Sequence, residues 1–344
     1  MSLLASGDGW TVEDVVCYRG PDDRSFEEQH DHVTIAVVLA GSFQYRGSGA
    51  AAGRELMTPG SLLLGNAGQH FECGHEHGTG DRCLSFRYTP AYFEAIAATV
   101  GRGAARAFDL LRLPPLRVLS SVIVRANAAL AGSAEVSWEE LSVSIAAQAI
   151  ALAGGRAPST APIRAAAIAR VTRVVRMIEQ QPEHGWTLAD LARAGKLSPF
   201  HFLRTFEDLT GVTPHQYLMR TRLRRAATRL VLERTTILDT ALGSGFGDLS
   251  NFNRAFRGEF GVSPRAYRGR AALGWNLTRT APRAPRARRS HLTGPASRVR
   301  PPPRARSLAG RQSQRREGRQ LGGSSSSWGE APVFERRRMW KELV

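Results

Sequence analysis

The sequence predicts an α+β multidomain protein: a small β-barrel with trailing helices over residues 1–160, an all-α domain of two helix-turn-helix units over 163–274, and a disordered basic tail over 275–344. Three observations predict it. Short strand-like runs crowd the stretch before Tyr88, a helical block in the second half repeats itself at a spacing of fifty residues, and the net charge changes sign along the chain.

The strand-like runs are VTIAVVLAG, SFQYRG, GSLLLGN and CLSFRY, lying between Val15 and about Tyr88 and bounded by Gly, Pro, Asn or Asp. Such spacing suits a small antiparallel barrel or sandwich. After Pro90 the texture turns to Ala/Leu/Arg-rich sequence of helical period, over 91–100, about 118–131 and 138–152. Gly154-Gly155 and the run from Pro158 to Pro162 then mark a linker.

Charge divides the chain by function. Residues 1–162 hold 12 Lys+Arg against 17 Asp+Glu, residues 163–274 hold 18 against 9, and residues 275–344 hold 17 against 4, giving −5, +9 and +13. Only the second half is thereby expected to meet a polyanion. The Arg, Pro, Ser and Gly of the tail provide too little apolar surface to offset chain entropy. The start MSLLASGDGW lacks the basic and apolar parts of a signal peptide, and the longest apolar-leaning run, Leu141 to Gly155, is 15 residues, short of the roughly 20 that a membrane helix needs. Three cysteines, Cys17, Cys73 and Cys83, are too few and odd in number for a disulfide framework, so a cytoplasmic setting without a membrane is expected.

The repeat is carried by identity as well as spacing. Phe202-x-Arg204-x-Phe206, Gly211-Val212-x-Pro214 and Tyr217 recur as Phe252-x-Arg254-x-Phe256, Gly261-Val262-x-Pro264 and Tyr267; Thr187-Leu188-x-Asp190-x-Ala192 is echoed by Thr236-Ile237-x-Asp239-x-Ala241. In the first unit Thr187 caps a helix over Leu188–Ala194 that Gly195 ends; Ser198 caps the next, with Pro199 at its first position. Phe202, Phe206 and Leu209 then share an apolar face, which turns His201, Arg204 and Thr205 elsewhere. In the second unit Ile237, Leu238, Ala241 and Leu242 form the packing helix, Gly243 to Gly247 the turn, and Leu249 onward the recognition helix, anchored by Phe252, Phe256 and Phe260. Ser250, Asn251, Asn253 and Arg254 are of the type that hydrogen-bond base edges and phosphates.

Between the units, Pro214 to about Leu232 reads as one helix of 19 residues, roughly 28 Å long. Adjacent major grooves on one DNA face lie about 34 Å apart, so one rigid domain spans both. Arg220, Arg222, Arg224, Arg225 and Arg229 on this connector are candidates for phosphate contact, with Arg222 and Arg225 foremost.

The run LADLARAGKLSPFHFLRTFEDLTGVTPHQYLMRTRLRRAATRL, followed by ILDTALGSGFGDLSNFNRAFRGEFGVSPRAYR, resembles the DNA-binding domain of the AraC/XylS family over about 100 residues. The resemblance places Phe200, Leu203 and Arg204 at base-facing positions of the first recognition helix and Leu249, Ser250, Asn251 and Arg254 at those of the second. Thr240 stands where an apolar packing residue is usual. The family implies a promoter-bound regulator of transcription rather than an enzyme, with double-stranded DNA and RNA polymerase as partners, a homodimer, and a small-molecule effector.

Residues 1–160 resemble, more loosely, the cupin-like sensor domain of such regulators, through His30-Asp31-His32, Gly41, Pro59-Gly60 and His70. That resemblance implies a cavity lined by His30, His32 and His70. A second cluster follows in His70, Glu72, Cys73, His75 and His77, with Cys83 six residues beyond His77, and thiolate with imidazole at such spacing suits zinc or another borderline metal. A metal- or redox-responsive regulator is therefore the alternative reading, with a divalent metal as its cofactor. An iron oxygenase built on the HxH pair would have little need for 100 residues of tandem DNA reader.

Overall fold

The computed structural model describes residues 1–23, 25, 27–49, 52–75, 80–101, 107–133, 136–154 and 165–272. The linker over 155–164, His77 and the tail over 275–344 lie outside the described residues.

Among the described residues ten strands precede the reader. They are β1 (Ser2–Gly7), β2 (Trp10–Cys17), β3 (Glu27–Gln29), β4 (Val33–Gly41), β5 (Phe43–Gly47), β6 (Gly53–Met57), β7 (Leu62–Gly65), β8 (His70–Gly74), β9 (Asp81–Tyr88) and β10 (Arg112–Leu113). Pairing sorts them into two sheets, one in the order β1-β2-β9-β4-β7-β10 and one in the order β3-β8-β5-β6. All ladders are antiparallel. The first hairpin closes through Asp8-Gly9, with Gly7 opposite Trp10 and Gly9 at φ +82°, a conformation that glycine adopts without steric cost.

The central strands are covered on both faces, and residue parity shows by what. Val33, Ile35 and Val37 of β4, Leu62 and Leu64 of β7, and Leu84 and Phe86 of β9 join one core with the trailing helices. Ala36, Val38, Leu63 and Cys83 point the other way and pack with Phe43, Tyr45 and Met57 of the second sheet. A strand buried on both sides has no solvent face to mark with polar residues, which is why VTIAVVL reads as a continuous apolar run. The trailing helices are α1 (Pro90–Thr99), α2 (Ser120–Leu130) and α3 (Trp138–Ala153), with a short 3₁₀ turn at Arg117–Leu119 before α2. Tyr88 reaches from β9 to donate to the Ser142 carbonyl of α3 at 2.8 Å.

The all-α part comprises α4 (Ala165–Gln180), α5 (Leu188–Ala194), α6 (Pro199–Thr210), α7 (Pro214–Leu232), α8 (Ile237–Leu242), α9 (Leu249–Phe260) and α10 (Pro264–Ala271). The core of its first unit, with Ile168, Val171, Val175, Leu191, Phe202, Phe206 and Tyr217, also takes in Leu56 of β6. The core of the second unit is continuous with that of α2 and α3 through Leu223, Ala227, Phe252, Phe256 and Tyr267. The expected packing face of α8 is only half right. Thr240 and Ala241 are buried, whereas Leu238 and Leu242 are exposed. The Thr240 hydroxyl donates to the Thr236 carbonyl at 2.8 Å, so a polar residue sits in the core with its hydrogen bond made inside its own helix.

Equivalent glycines end α6 and α9, Gly211 at φ +74° and Gly261 at φ +75°. A Cβ on Gly211 would fall 2.6 Å from Pro114 Cγ, while one on Gly261 would meet open space. Gly261→Ala should therefore cost only the left-handed backbone penalty of about 1–2 kcal/mol, and Gly211→Ala a further 1–3 kcal/mol from overpacking. Urea unfolding of both variants checks this, and equal losses would mean that Pro114 gives way freely.

Candidate nucleic-acid interface

Every helix from α5 to α10 begins with a side chain that accepts a backbone N–H: Thr187, Ser198, Thr213, Thr236, Asp248 and Ser263. Thr187 with Asp190 and Thr213 with Gln216 complete capping boxes. These caps fix where each helix starts, and hence which residues face outward. Gly195 is not left-handed; its φ is −74° and the positive φ of 51° falls on Lys196 instead. What favours glycine at 195 is close approach, since a Cβ there would stand 3.3 Å from the Phe202 ring.

On α6, Phe200, His201 and Arg204 are exposed and Leu203 is half-buried, while Phe202 and Phe206 are fully buried. Phe200 is 70% exposed, unusual for a phenyl ring on a folded surface. On α9, Leu249, Ser250, Asn251 and Arg254 are exposed and Asn253 is half-buried. Ser250, Asn253, Arg254, Arg257 and Gly258 line a shallow concavity. Arg257 was not singled out from sequence, although its place three residues after Arg254 on one helix was the available signal. Arg204 and Arg254 make no ion pair or hydrogen bond among the described residues, so both guanidiniums are open to a ligand.

The connector α7 spans the 19 residues expected, but its arginines are engaged within the chain. Arg222 is half-buried and donates to the Pro182 and His184 carbonyls at 2.6 and 2.7 Å. Arg220 donates to the Pro115 carbonyl at 3.0 Å, and Arg229 pairs with Glu233 at 3.0 Å. Arg224 is buried beside the Pro59 carbonyl. Arg225 pairs with Glu183 at 3.1 Å, with both side chains about half exposed. An exposed pair of this kind is worth only about 0–1 kcal/mol, which leaves Arg225 the most readily released of the five.

A model of the helix-turn-helix domain family matches residues 191–270. The Tn10 transposon protein TetD of Escherichia coli is 36% identical over 95 residues, which cover 28% of this chain and 69% of TetD. The chain belongs to the AraC/XylS family. A second relative of this AraC/XylS protein is RclR of Escherichia coli K12, named an RCS-specific HTH-type transcriptional activator, 34% identical over 101 residues that cover 29% of this chain and 36% of RclR. A crystal structure of a regulator with an AraC-type DNA-binding domain from Chromobacterium violaceum covers 32% of this chain and 97% of that one, at 27% identity and a TM-score of 0.30. The chain covers about a third of the length of the first relatives it matches, at 36%, 33% and 35%.

The histidines expected to converge in the first half of this AraC/XylS protein do not. His30 turns inward, its Nε2 2.7 Å from the Tyr45 hydroxyl and its ring stacked on Phe71 at 4.1 Å. His32 lies toward Arg87, with Nδ1 3.4 Å from the guanidinium. His70, half exposed on β8, faces Glu27 at 3.3 Å. The reason is strand length and pairing: His30 and His32 both stand in the connection after β3, while His70 pairs with Gln29 at the edge strand of the smaller sheet. Cys73 and His75 separate from them along β8, Cys73 packing into the inter-sheet core and His75 bonding Asp81 at 2.6 Å.

Burial of His30, and then the charge of Arg87, hold its ring near a pKa of about 4 against an ordinary 6.5. The folded state keeps the ring neutral where the unfolded chain takes up a proton, so stability is full above pH 6.5 and is lost as pH falls toward 4. The loss is about 3 kcal/mol. Denaturant unfolding at pH 7 and pH 4 should find His30→Gln less acid-sensitive than the parent by about that amount. A variant with the same acid sensitivity would place the ring's titration elsewhere.

Proposed function

We propose that this protein is a sequence-specific double-stranded DNA-binding regulator of promoters, which sets α6 and α9 into successive major grooves. The observation that carries the reading is the pair of equivalent exposed faces, Phe200, His201 and Arg204 on one helix and Leu249, Ser250, Asn251 and Arg254 on the other, joined by one 19-residue helix of roughly 28 Å. Base reading falls to Arg204, Ser250, Asn251, Asn253 and Arg254, since guanidinium and amide groups match the bidentate edges of guanine and adenine. Phe200, Leu203 and Leu249 offer apolar contact to thymine methyl groups. Arg225, once released from Glu183, holds phosphate, and Arg222 supports the α4–α5 turn from inside.

The β-rich first half is the sensor in this proposal: a cupin-like domain in which two sheets enclose a core and the trailing helices carry the homodimer. Its effector alters how the reader is held, and thereby promoter occupancy and contact with RNA polymerase in the cytoplasm. RclR's name as an activator supports activation as the direction of control.

A binding-site selection with the full chain tests the assignment. Arg204→Ala should relax preference at one half of the site and Arg254→Ala at positions about one helical turn away, each losing about 1–3 kcal/mol of discrimination. Arg225→Ala should weaken all sequences alike and reduce the salt slope by roughly one unit. Sequence preferences identical to the parent's in both recognition-helix variants would mean that these arginines only hold the backbone. A full chain that enriches no duplex at low salt would reject DNA binding itself.

A further inference from the structure

The cluster most rich in metal-binding chemistry lies away from the DNA-facing helices and differs from the histidine set that the cupin-like resemblance implies. Cys17 at the end of β2, His75 just after β8 and Asp81 at the start of β9 bring one ligand atom each to within 4.8 Å of one another. Register explains the meeting. Cys17 pairs directly with Asp81 across the β2–β9 ladder, so both stand on one face at one end of the larger sheet. His75 arrives from the smaller sheet, two residues beyond the inward-facing Cys73, and stacks on Phe43 at 5.8 Å. The backbone there closes on glycine: a Cβ on Gly80 would fall 2.4 Å from the Cys17 carbonyl oxygen, and one on Gly41 would fall 2.3 Å from the Gly80 carbonyl oxygen.

We propose that Cys17, His75 and Asp81 form a binding site for a divalent cation of the zinc class. A thiolate, an imidazole and a carboxylate are the three protein donor types of zinc, and tetrahedral ligands at about 2.0–2.3 Å from the ion stand roughly 3.3–3.8 Å apart. The contact between His75 Nε2 and Asp81, at 2.6 Å, is shorter than that span, and all three ligand atoms lie within 4.8 Å of one another. Loading the site then separates His75 from Asp81 by about 1 Å and exchanges their hydrogen bond for two bonds to the ion. The side chains of His75 and Asp81 are only 4% and 6% exposed, which shields the ion from bulk water, while half-buried Cys17 leaves a path of entry. Three protein donors leave the fourth position to water, the arrangement of open rather than structural zinc sites. Cys83 lies behind, its Sγ 3.5 Å from the other Asp81 oxygen. The ion would tie the two sheets together at this end, a role independent of the DNA-reading residues.

The test uses the full chain, free of any oligohistidine tag and stripped of metal, titrated with Co²⁺ alone and then with Zn²⁺ as competitor. One equivalent of Co²⁺ with a sulfur-to-cobalt charge-transfer band, displaced by one equivalent of Zn²⁺, is expected. Cys17→Ser should abolish the band, and His75→Gln and Asp81→Asn should each weaken binding by about tenfold or more. His30→Gln and His70→Gln should leave stoichiometry and spectrum unchanged, which separates this site from the HxH type. Circular dichroism of each variant confirms that it is folded. The proposal is overturned if the folded parent takes up less than about a tenth of an equivalent, if the band survives Cys17→Ser, or if His30→Gln removes it. None of these outcomes involves DNA, so a failure here leaves the DNA-binding reading standing.

Discussion

Both recognition helices are held at their C-terminal ends by arginines from one short segment before α2. Arg112 donates to the Thr210 carbonyl in the last turn of α6 at 2.9 Å, and Arg117 donates to the Gly258 carbonyl in the last turn of α9 at 2.7 Å. The last carbonyls of a helix lack intrahelical partners and carry the negative end of its dipole, so a guanidinium is the group best suited to hold them. Arg112 is itself fixed, bonded through Nε to Glu55 at 2.8 Å, and Ser120 bonds Glu259. Two arginines five positions apart thus hold two helices whose sequences are fifty residues apart. The N-terminal ends of both helices, where the exposed polar residues stand, are left clear.

This clamp depends in turn on how the larger sheet is built. Arg112 and Leu113 form its last strand, paired with Leu63 and Leu62, so the clamp is the edge of a sheet buried on both faces. A second joint stands beside it. Glu179 of α4 accepts from Tyr217 at 2.8 Å and Thr221 at 3.0 Å, and its burial, offset in part by Arg224, raises the carboxyl above its usual range. The same Arg224 lies against the Pro59 carbonyl, so the joint reaches from the first helix of the reader to the turn between β6 and β7.

The reader was legible in sequence because its signals are local. Thr187, Ser198, Pro199, Gly211 and their counterparts mark boundaries within one or two residues, and the Phe202/Phe206 and Phe252/Phe256 pairs fix the buried faces. The long central strands were legible for the same reason. The strands β1 and β2 were missed although Asp8-Gly9 is a two-residue hairpin signal, because WTVEDVV alternates poorly. His70 to Gly74 is not among the strand-like runs, its His, Glu and Cys masking a strand whose pairing partners lie on β3 and β5. The partners of Arg222 come from a turn some forty residues upstream, and those of Cys17 from residues 75 and 81. No periodicity in one segment encodes such meetings; they follow from register, which a single sequence does not display.

One strand links the metal-type cluster to the reader. At its far end Gly41 of β4 pairs with Asp81, and three residues back Val38 pairs with Cys83 while its carbonyl accepts the N–H of Gly60 at 2.8 Å. Gly60, at φ +88°, lies so close to Arg224 that a Cβ there would fall 2.5 Å from the guanidinium. The route from Asp81 to the connector between the two recognition helices therefore runs through one ladder, a stretch of β4 and the hydrogen bond from Gly60 to Val38. Because β4 is flanked by β9 and β7 and packed on both faces, it moves as a unit or not at all, since close-packed interiors transmit displacement rather than absorb it. Spatial continuity alone does not make a coupling; that requires an element with two arrangements which both ends bias. Arg224 stands at the end of that route, buried, with Nη2 toward the Pro59 carbonyl at 3.4 Å and Nη1 without a hydrogen-bond partner among the described residues.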